Sequence, residues 1–227
     1  AEPVQRLAQL PAFSGAAKDE DHVRQGSPSS GARGHVRRLT PMILHLLRHG
    51  QSAWNLVERV QGQTMHVPLT DLGIQQATEA RERLRDVALT AVLSSDQVRA
   101  TQTADIVAEH HSLPVLQTPL LREQGLGTLE GKYYHELEEE PTPDGVHLSE
   151  VRWGGGESMA DVAARLETLL DELGASYHDD DQVLLVSHGD TLRILVALLD
   201  GGTHRDVDWV TYAAWPNGHV EVRGMTP

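Results

Sequence analysis

From Met42 onward the chain alternates short apolar segments with longer amphipathic ones, and this alternation constrains its fold more than any other feature. Short apolar runs bounded by turn residues are typical of buried strands, and apolar residues at helical spacing are typical of helices packed on a sheet. Strands alternating with helices predict a three-layer α/β/α sandwich around a mainly parallel sheet. The pattern predicts strands at residues 42–47, 91–93, 114–117 and 182–186 and a final strand within 212–222. It predicts helices at 70–86, 97–109, 157–173 and 191–199.

The first 41 residues differ from the rest in composition. Residues 13–38 are rich in Gly, Ser and Ala with scattered charge, and they show no helical or strand period. Such a segment offers little apolar surface to bury, and it lacks the apolar stretch of a signal peptide. We therefore expect residues 1–41 to be a disordered extension and residues 42–227 to form the domain. A basic interaction arm is the alternative for the extension.

Composition excludes several functions. The formal net charge of −14 argues against a nucleic-acid partner, which requires a basic face. No apolar run reaches membrane-spanning length, so we expect no membrane partner. A cytoplasmic location is the default expectation. The absence of cysteine excludes disulfides, thiolate metal sites and cysteine nucleophiles. The oligomeric state stays open, with a homodimer among the options.

Two predicted strands end in a histidine followed by glycine, at His49-Gly50 and His188-Gly189. Because ligands bind outside the carboxyl ends of the strands in an open α/β sheet, both imidazoles are expected at one pocket. Arg48 adds a planar fork that suits two phosphate oxygens. A neutral histidine can act as a nucleophile near pH 7, and glycine allows a phosphate to approach the backbone. The pattern favours phosphoryl-transfer chemistry.

Residues 47–55, Leu-Arg-His-Gly-Gln-Ser-Ala-Trp-Asn, resemble the signature of the histidine phosphatase superfamily, in its phosphoglycerate mutase-like branch. Further blocks similar to that family follow in order at 61–62, 68–77, 94–95 with 99–104, 121–123, 127, 130–131, 155–158 and 187–189. The resemblance spans about residues 42–222. It implies the phosphoglycerate mutase-like form of the sandwich and the activity of a small phosphatase of this superfamily.

The resemblance also implies residue roles. His49 is the implied nucleophile, and Glu123 is the implied general acid that later activates water. The implied cradle for the phosphate consists of Arg48, Asn55, Arg99, His188 and the backbone amide of Gly189. No metal ion and no other cofactor is implied, and the expected partner is a small phosphorylated substrate.

Several of these roles have alternatives in the sequence. Glu130 lies near Glu123 and is a second candidate for the acid. Asn55 is also suited to hydrogen bonding within its turn, and Arg99 to a salt bridge on a solvated helix face. The chain departs from the family pattern at Asp96-Gln97, where a proline often follows the serines, and at His66, where an acidic residue is common.

Other reaction classes fit the residues less well. The Asp-rich run at 179–181 precedes a predicted strand, whereas an aspartate nucleophile must follow one. His49, His188 and Asp190 could bind a metal pair, but Arg48 beside them would repel the metal. A silent phospho-ligand binding module is a third alternative.

Within the superfamily the sequence favours a hydrolase over a mutase. The acid segment at 121–127 lacks the Glu-Arg-x-Tyr-Gly wording of mutases, and the 186 residues from Met42 leave little extra sequence around it. Mutase-type phosphoryl transfer remains the alternative, and the sequence does not identify the substrate.

Overall fold

The computed structural model describes residues 41–138, 141–210 and 215–225. The predicted extension, apart from Pro41, lies outside these residues. A five-stranded sheet occupies the centre, in the order β3-β2-β4-β1-β5, and only β5 runs antiparallel to its neighbour. Its strands are β1 (Met42–Arg48), β2 (Ala91–Ser95), β3 (Val115–Thr118), β4 (Gln182–Ser187) and β5 (Val220–Met225).

Helices join the strands, as the sequence predicts, and short 3-10 turns occupy much of the segment between β3 and the fourth helix. The helices are α1 (Ala53–Leu56), α2 (Asp71–Leu84), α3 (Val98–His111), α4 (Met159–Ser176) and α5 (Gly189–Leu199). Only α1 was not predicted, because four residues show no period. The mainly parallel α/β prediction is confirmed.

The two faces of the sheet are covered by different helices. In β4, Val183 and Leu185 face the cluster formed with α4 and α5, whereas Leu184 and Val186 face the cluster formed with α2 and α3. This follows from the two-residue period of a strand, which sends successive side chains to opposite faces. All four are fully buried, so the sheet is a middle layer between two helical ones.

Element ends differ from the predicted ones for local reasons. Strand β2 continues through the buried Ser94 and Ser95, because their backbone pairs with Gln117 and Thr118 of β3. Helix α4 begins at Met159 rather than 157, because the Ser158 hydroxyl accepts the amide of Asp161 as an N-cap. Helix α5 begins two residues before the predicted 191, at Gly189.

Strand register brings the sequence-predicted site residues to one edge of the sheet. Arg48, the last residue of β1, is paired with Ser187, the last residue of β4. His49 and His188 therefore follow two neighbouring strands at the same level. No helix in the ranges that the structure describes is long and apolar enough to cross a membrane.

Candidate active site

His49 and His188 form the centre of the site. Their ring centroids are 5.0 Å apart with an interplanar angle of 61°. His49 is 3% exposed and His188 is fully buried. The amide of His49 donates to the carbonyl of Ser187 at 2.9 Å, which ties the end of β1 to the end of β4. The sequence prediction of two imidazoles at one pocket agrees with this geometry.

The hydrogen bond made by the His49 ring determines which nitrogen is free to react. Nδ1 of His49 lies 2.6 Å from the carbonyl oxygen of Gly50. Because a carbonyl oxygen only accepts, Nδ1 carries the proton and Nε2 keeps its lone pair. Burial, followed by the charges of Arg99 and Arg48, holds the pKa of His49 well below its usual value of 6.5. The ring is therefore neutral at pH 7.

Surrounding residues fix the backbone that carries His49. The Gly50 amide donates to the Thr103 hydroxyl at 3.1 Å, and the Asn217 side chain donates to the His49 carbonyl at 3.0 Å. A Cβ on Gly50 would lie 2.2 Å from the carbonyl oxygen of Gly73, so only glycine fits there. The predicted turn at 216–218 is present, with Gly218 at φ +76°, and it forms part of this support.

Two arginines reach the site from different elements. Arg48 donates through Nη1 to the Trp215 carbonyl at 2.5 Å and packs beside Gly189. Arg99, on the first turn of α3, is fully buried and donates to the carbonyls of Thr64 at 2.9 Å and Gly62 at 3.0 Å. The alternative of a solvated salt-bridge residue for Arg99 is thereby excluded. Burial lowers the pKa of Arg99 to about 10, so it stays cationic at pH 7.

Buried nitrogens without a hydrogen-bond partner concentrate around His49. Within the described ranges seven buried side-chain nitrogens lack a partner, and four of them are Nε of Arg48, Nε of Arg99 and both ring nitrogens of His188. Both arginine Nε atoms and one nitrogen of a neutral His188 ring are donors. A buried donor without a partner costs about 1–3 kcal/mol, so their concentration marks a place suited to an oxygen-rich ligand. Burial is the main cause that holds the pKa of His188 well below 6.5, followed by Arg99.

Glu123 lies against the start of α5. Its Oε1 accepts hydrogen bonds from the amide of Gln124 at 3.0 Å and from the amide and hydroxyl of Thr191 at 3.2 and 3.0 Å. Its Oε2 lies 3.4 Å from the amide of Asp190. Burial and then the negative charge of Asp190 raise the pKa of Glu123 above its usual 4.5, although the hydrogen bond from the Gln124 amide and then the charge of Arg99 oppose the shift. The shift is in the direction that a general acid requires.

The competing residue Glu130 has a different environment. Its Oε1 accepts the amides of Gln63 and Leu126, each at 2.9 Å, and thereby joins two loops. Asn55 completes the capping box of α1, whose N-cap is Ser52: its Oδ1 accepts from the amide and the hydroxyl of Ser52, each at 3.0 Å. That orientation leaves the Asn55 amide hydrogens uncommitted among the described contacts, so turn formation and donation to a phosphate are compatible.

Several buried and half-buried residues that support the site were missed by sequence reasoning. Thr191 is fully buried against Glu123, and Arg165 donates from α4 to the Leu120 and Glu123 carbonyls at 2.6 and 3.2 Å. Glu157 accepts from Arg165 at 3.1 Å and from the Gly125 amide at 2.9 Å. Of these residues only Thr191 could have been found from the sequence, because it lies three residues after His188. The other contacts join segments that are far apart in the sequence.

Two further observations concern metal-binding side chains and the exposure of His66. Within the described ranges no three or more His, Asp or Glu side chains converge as a set that could hold a metal ion. His66, singled out as a departure from the family pattern, is exposed.

Comparisons with known proteins agree with the geometry. The "Probable phosphoglycerate mutase GpmB" of Yersinia pestis is 38% identical over 165 residues, which are 70% of this chain and 74% of that protein. A mycobacterial glucosyl-3-phosphoglycerate phosphatase, solved as a complex with VO3, superposes with a TM-score of 0.70 at 32% identity, covering 80% of this chain and 90% of that one.

A mutant phosphoserine phosphatase from Entamoeba histolytica, in complex with phosphoserine, superposes with a TM-score of 0.64 at 26% identity, covering 80% of this chain and 89% of that one. The sequence model of the family described as "Histidine phosphatase superfamily (branch 1)" matches residues 44–222. The chain therefore belongs to the histidine phosphatase superfamily, branch 1, and is an enzyme of phosphoryl transfer through histidine.

Proposed function

We propose that the chain hydrolyses phosphate monoesters of small metabolites, with His49 as the residue that carries the phosphoryl group. The observation that carries the proposal is the hydrogen bond from Nδ1 of His49 to the Gly50 carbonyl. That bond leaves the Nε2 lone pair free on a buried ring whose lowered pKa keeps it neutral. A nucleophile with these properties needs no separate base to deprotonate it.

The phosphate would be bound by the cationic and polar groups around that ring. Arg48 and Arg99 supply two positive charges in a region of low solvent exposure, where electrostatic stabilisation of the transferring group is strongest. Each has a buried Nε without a partner, and both ring nitrogens of His188 share that state. Asn55 and the Gly189 amide at the start of α5 add donors for the remaining oxygens.

Glu123 supplies the proton transfers. In the first step Nε2 of His49 forms a bond to phosphorus, the ester P–O bond breaks, and the Glu123 carboxyl gives its proton to the leaving oxygen. In the second step the Glu123 carboxylate takes a proton from water, the water oxygen bonds to phosphorus, and the P–N bond breaks. The products are the alcohol and inorganic phosphate, and His49 and Glu123 return to their starting protonation states.

Hydrolysis is favoured over mutase-type transfer by the acid segment. Glu123 is followed by Gln124, Gly125 and Leu126, not by the Arg-x-Tyr-Gly residues of the mutase motif. Relatives carry both kinds of name, since one is called a probable mutase and two are called phosphatases. We further propose that the enzyme requires no metal ion, acts in the cytoplasm and has a small phosphorylated molecule as its partner, with no nucleic acid or membrane.

The decisive experiment measures phosphate release from a panel of phosphomonoesters by the wild-type enzyme and two alanine variants. His49→Ala is expected to reduce the rate by at least about a thousandfold, because it removes the nucleophile. His178→Ala is the matched control and is expected to keep the wild-type rate, since His178 is exposed and precedes β4 at the opposite end of the sheet. Phosphate release by His49→Ala at the wild-type rate would contradict the proposal.

Rapid quenching with labelled substrate then tests the intermediate. The label on protein is expected to be acid-labile and base-stable, as a phosphoramidate is, and absent from His49→Ala. If the label passes to a second alcohol in preference to water, the enzyme is a mutase. If no ester is turned over and inorganic phosphate still binds, the alternative of a silent phospho-ligand binding module is correct.

A further inference from the structure

Gln97 lies between β2 and α3, at the point where the sequence departs from the family pattern, and its side chain is fully buried. It occupies the N-cap position of α3 but makes no side-chain capping bond to its own helix. Glutamine is not among the favoured N-cap residues. A buried polar side chain that does not serve its own helix requires another explanation.

The Gln97 amide joins two other loops. Its Nε2 donates to the carbonyls of Gly62 at 3.0 Å and Thr64 at 3.2 Å. Its Oε1 accepts the backbone amide of Glu123 at 2.8 Å. Because carbonyls only accept and an amide N–H only donates, these partners fix which end of the Gln97 side chain is oxygen and which is nitrogen. Both hydrogens and the oxygen are therefore used.

Arg99 binds the same two carbonyls. Its Nη2 donates to Gly62 at 3.0 Å and its Nη1 to Thr64 at 2.9 Å. Gln97 thus contacts, through one amide group, both the turn that holds Arg99 and the backbone of Glu123. The neighbouring Asp96 reinforces the second connection, because it accepts two hydrogen bonds from Arg122 at 2.7 and 2.5 Å.

We propose that Gln97 is a positioning residue that sets the backbone of Glu123 relative to Arg99. It holds the proton donor at a fixed distance from the phosphate cradle through both steps of the reaction. The inference rests on the proposed function, in which Glu123 transfers the proton and Arg99 binds the phosphate. Displacement of a catalytic group by about 1 Å can cost about a hundredfold in rate, so the contact is catalytically relevant although Gln97 does not touch substrate.

The test compares two kinds of ester in the Gln97→Met variant, which keeps the side-chain length but removes these three hydrogen bonds and the 3.4 Å bond from the Ser95 hydroxyl to Oε1. Glycerol phosphate has a poor leaving group that needs Glu123, whereas p-nitrophenyl phosphate does not. We expect kcat/KM on glycerol phosphate to fall by about tenfold or more and on p-nitrophenyl phosphate by less than about threefold. Competitive inhibition by inorganic phosphate is expected to change by less than about threefold, because Arg99 keeps its own contacts.

Gln102→Met is the matched control. Gln102 lies on the same helix and its Oε1 likewise accepts a loop amide, that of Leu69 at 2.8 Å, but it does not contact the Glu123 segment. It is expected to leave the ratio of the two esters unchanged. In a Glu123→Gln background, Gln97→Met is expected to add less than about threefold on glycerol phosphate, since both changes remove one function.

Gln97→Glu keeps the test informative if the methionine variant does not fold. Its carboxylate still accepts the Glu123 amide but cannot donate to the carbonyls of Gly62 and Thr64, so the link between the two loops is broken and the ester ratio is expected to fall in the same direction as in Gln97→Met. A wild-type ester ratio in Gln97→Glu would overturn the inference, as would equal losses on both esters in Gln97→Met. These outcomes are distinct from failure of the proposed function, because that function is tested by phosphate release from the wild-type enzyme and His49→Ala, in which Gln97 is unchanged.

Discussion

The carboxyl group of Glu123 lies against the amide of Thr191, which donates to its Oε1 at 3.2 Å from the first turn of α5. Because His188 directly precedes that helix, the proton donor and one group of the phosphate cradle are positioned by the same helix start. Amides at a helix N-terminus stabilise a carboxylate, whereas burial and the Asp190 charge destabilise it. The net effect is a pKa of Glu123 above its usual value.

Replacing Glu123 with glutamine is expected to separate the two ester types. The substitution keeps the shape of the side chain, and the new amide retains an oxygen that accepts from Thr191. It cannot transfer a proton, so only the acid–base function is lost. We expect kcat/KM on glycerol phosphate to fall by at least about a hundredfold and on p-nitrophenyl phosphate by less than about tenfold. Steady-state assays of both esters check this. Equal losses would remove Glu123 from the acid role and make Glu130 the next residue to test.

The pH dependence of the reaction is expected to reveal the raised pKa of Glu123. The acid must be protonated in the first step, so the rate on glycerol phosphate should decline as pH rises through that pKa, which lies above 4.5. Asp190→Asn removes the second cause of the shift and should move the decline to lower pH. Asp200→Asn is the control, because that carboxylate pairs with Arg223 near the other end of α5. An unmoved decline in Asp190→Asn would show that burial alone sets the shift.

The sequence predicted the parts of this site that follow strands. His49 and His188 could be placed together because the ends of parallel strands meet at one edge, and the fold class follows from the alternation of elements. The Glu123 role came from family resemblance, and its surroundings at α5 could not be derived from periodicity. The predicted start of α5, residue 191, lies two residues after the observed start at Gly189.

Contacts between segments far apart in sequence were beyond prediction. Gln97 and Glu123 are 26 residues apart, and Arg165 reaches the Glu123 carbonyl from 42 residues away. Such contacts depend on loop conformations, which carry no hydrophobic period. At Gln97 the only local sign in the sequence is a departure from the family pattern.

Stability is expected to decrease as pH falls below 6.5. His49 and His188 have folded-state pKa values well below 6.5, so in that range the unfolded chain binds protons that the folded chain does not. Their contribution is complete above 6.5 and is lost below it, by about 1 kcal/mol per histidine between about pH 7 and 5.5. Glu123 acts in the opposite direction, because its raised pKa favours the folded state as pH falls.

Urea unfolding at the two pH values measures this effect. Asp96 and Asp161 do not interfere, because their lowered pKa values affect stability only near and below 3.8. A His188→Asn variant should show a smaller loss between the two pH values than the wild type, whatever its absolute stability. An identical loss in both proteins would mean that His188 is not held neutral.

Activity is expected to persist in excess chelator. Arg48 and Arg99 supply the positive charge that a metal ion would otherwise provide to the phosphate. Turnover of p-nitrophenyl phosphate with and without EDTA checks this, with a metal-dependent phosphatase in the same buffer as a control on chelation. Loss of turnover that Mg²⁺, Mn²⁺ or Zn²⁺ restores would instead favour metal binding by His49, His188 and Asp190.

Arg99→Lys is expected to weaken phosphate binding equally for esters with good and poor leaving groups. The guanidinium donates to Thr64 and Gly62 while its Nε remains without a partner, and a single ammonium group cannot reproduce that planar geometry. We expect kcat/KM to fall by about tenfold or more on both ester types, with a comparable weakening of inhibition by inorganic phosphate. This differs from Glu123→Gln, which should spare the aryl ester.

The same variant should also be less stable. A lysine at this fully buried position cannot reproduce both hydrogen bonds to the carbonyls of Thr64 and Gly62. Loss of one of them is expected to lower the free energy of unfolding by about 1–3 kcal/mol. Arg85→Lys is the matched control, because Arg85 lies more than half exposed just after α2 and pairs with Glu82, and neither the activity nor the stability of that variant should change measurably. Arg99→Lys with normal phosphate inhibition but reduced stability would restrict Arg99 to holding the Gly62–Thr64 turn, and the cradle would then depend on Arg48 and His188.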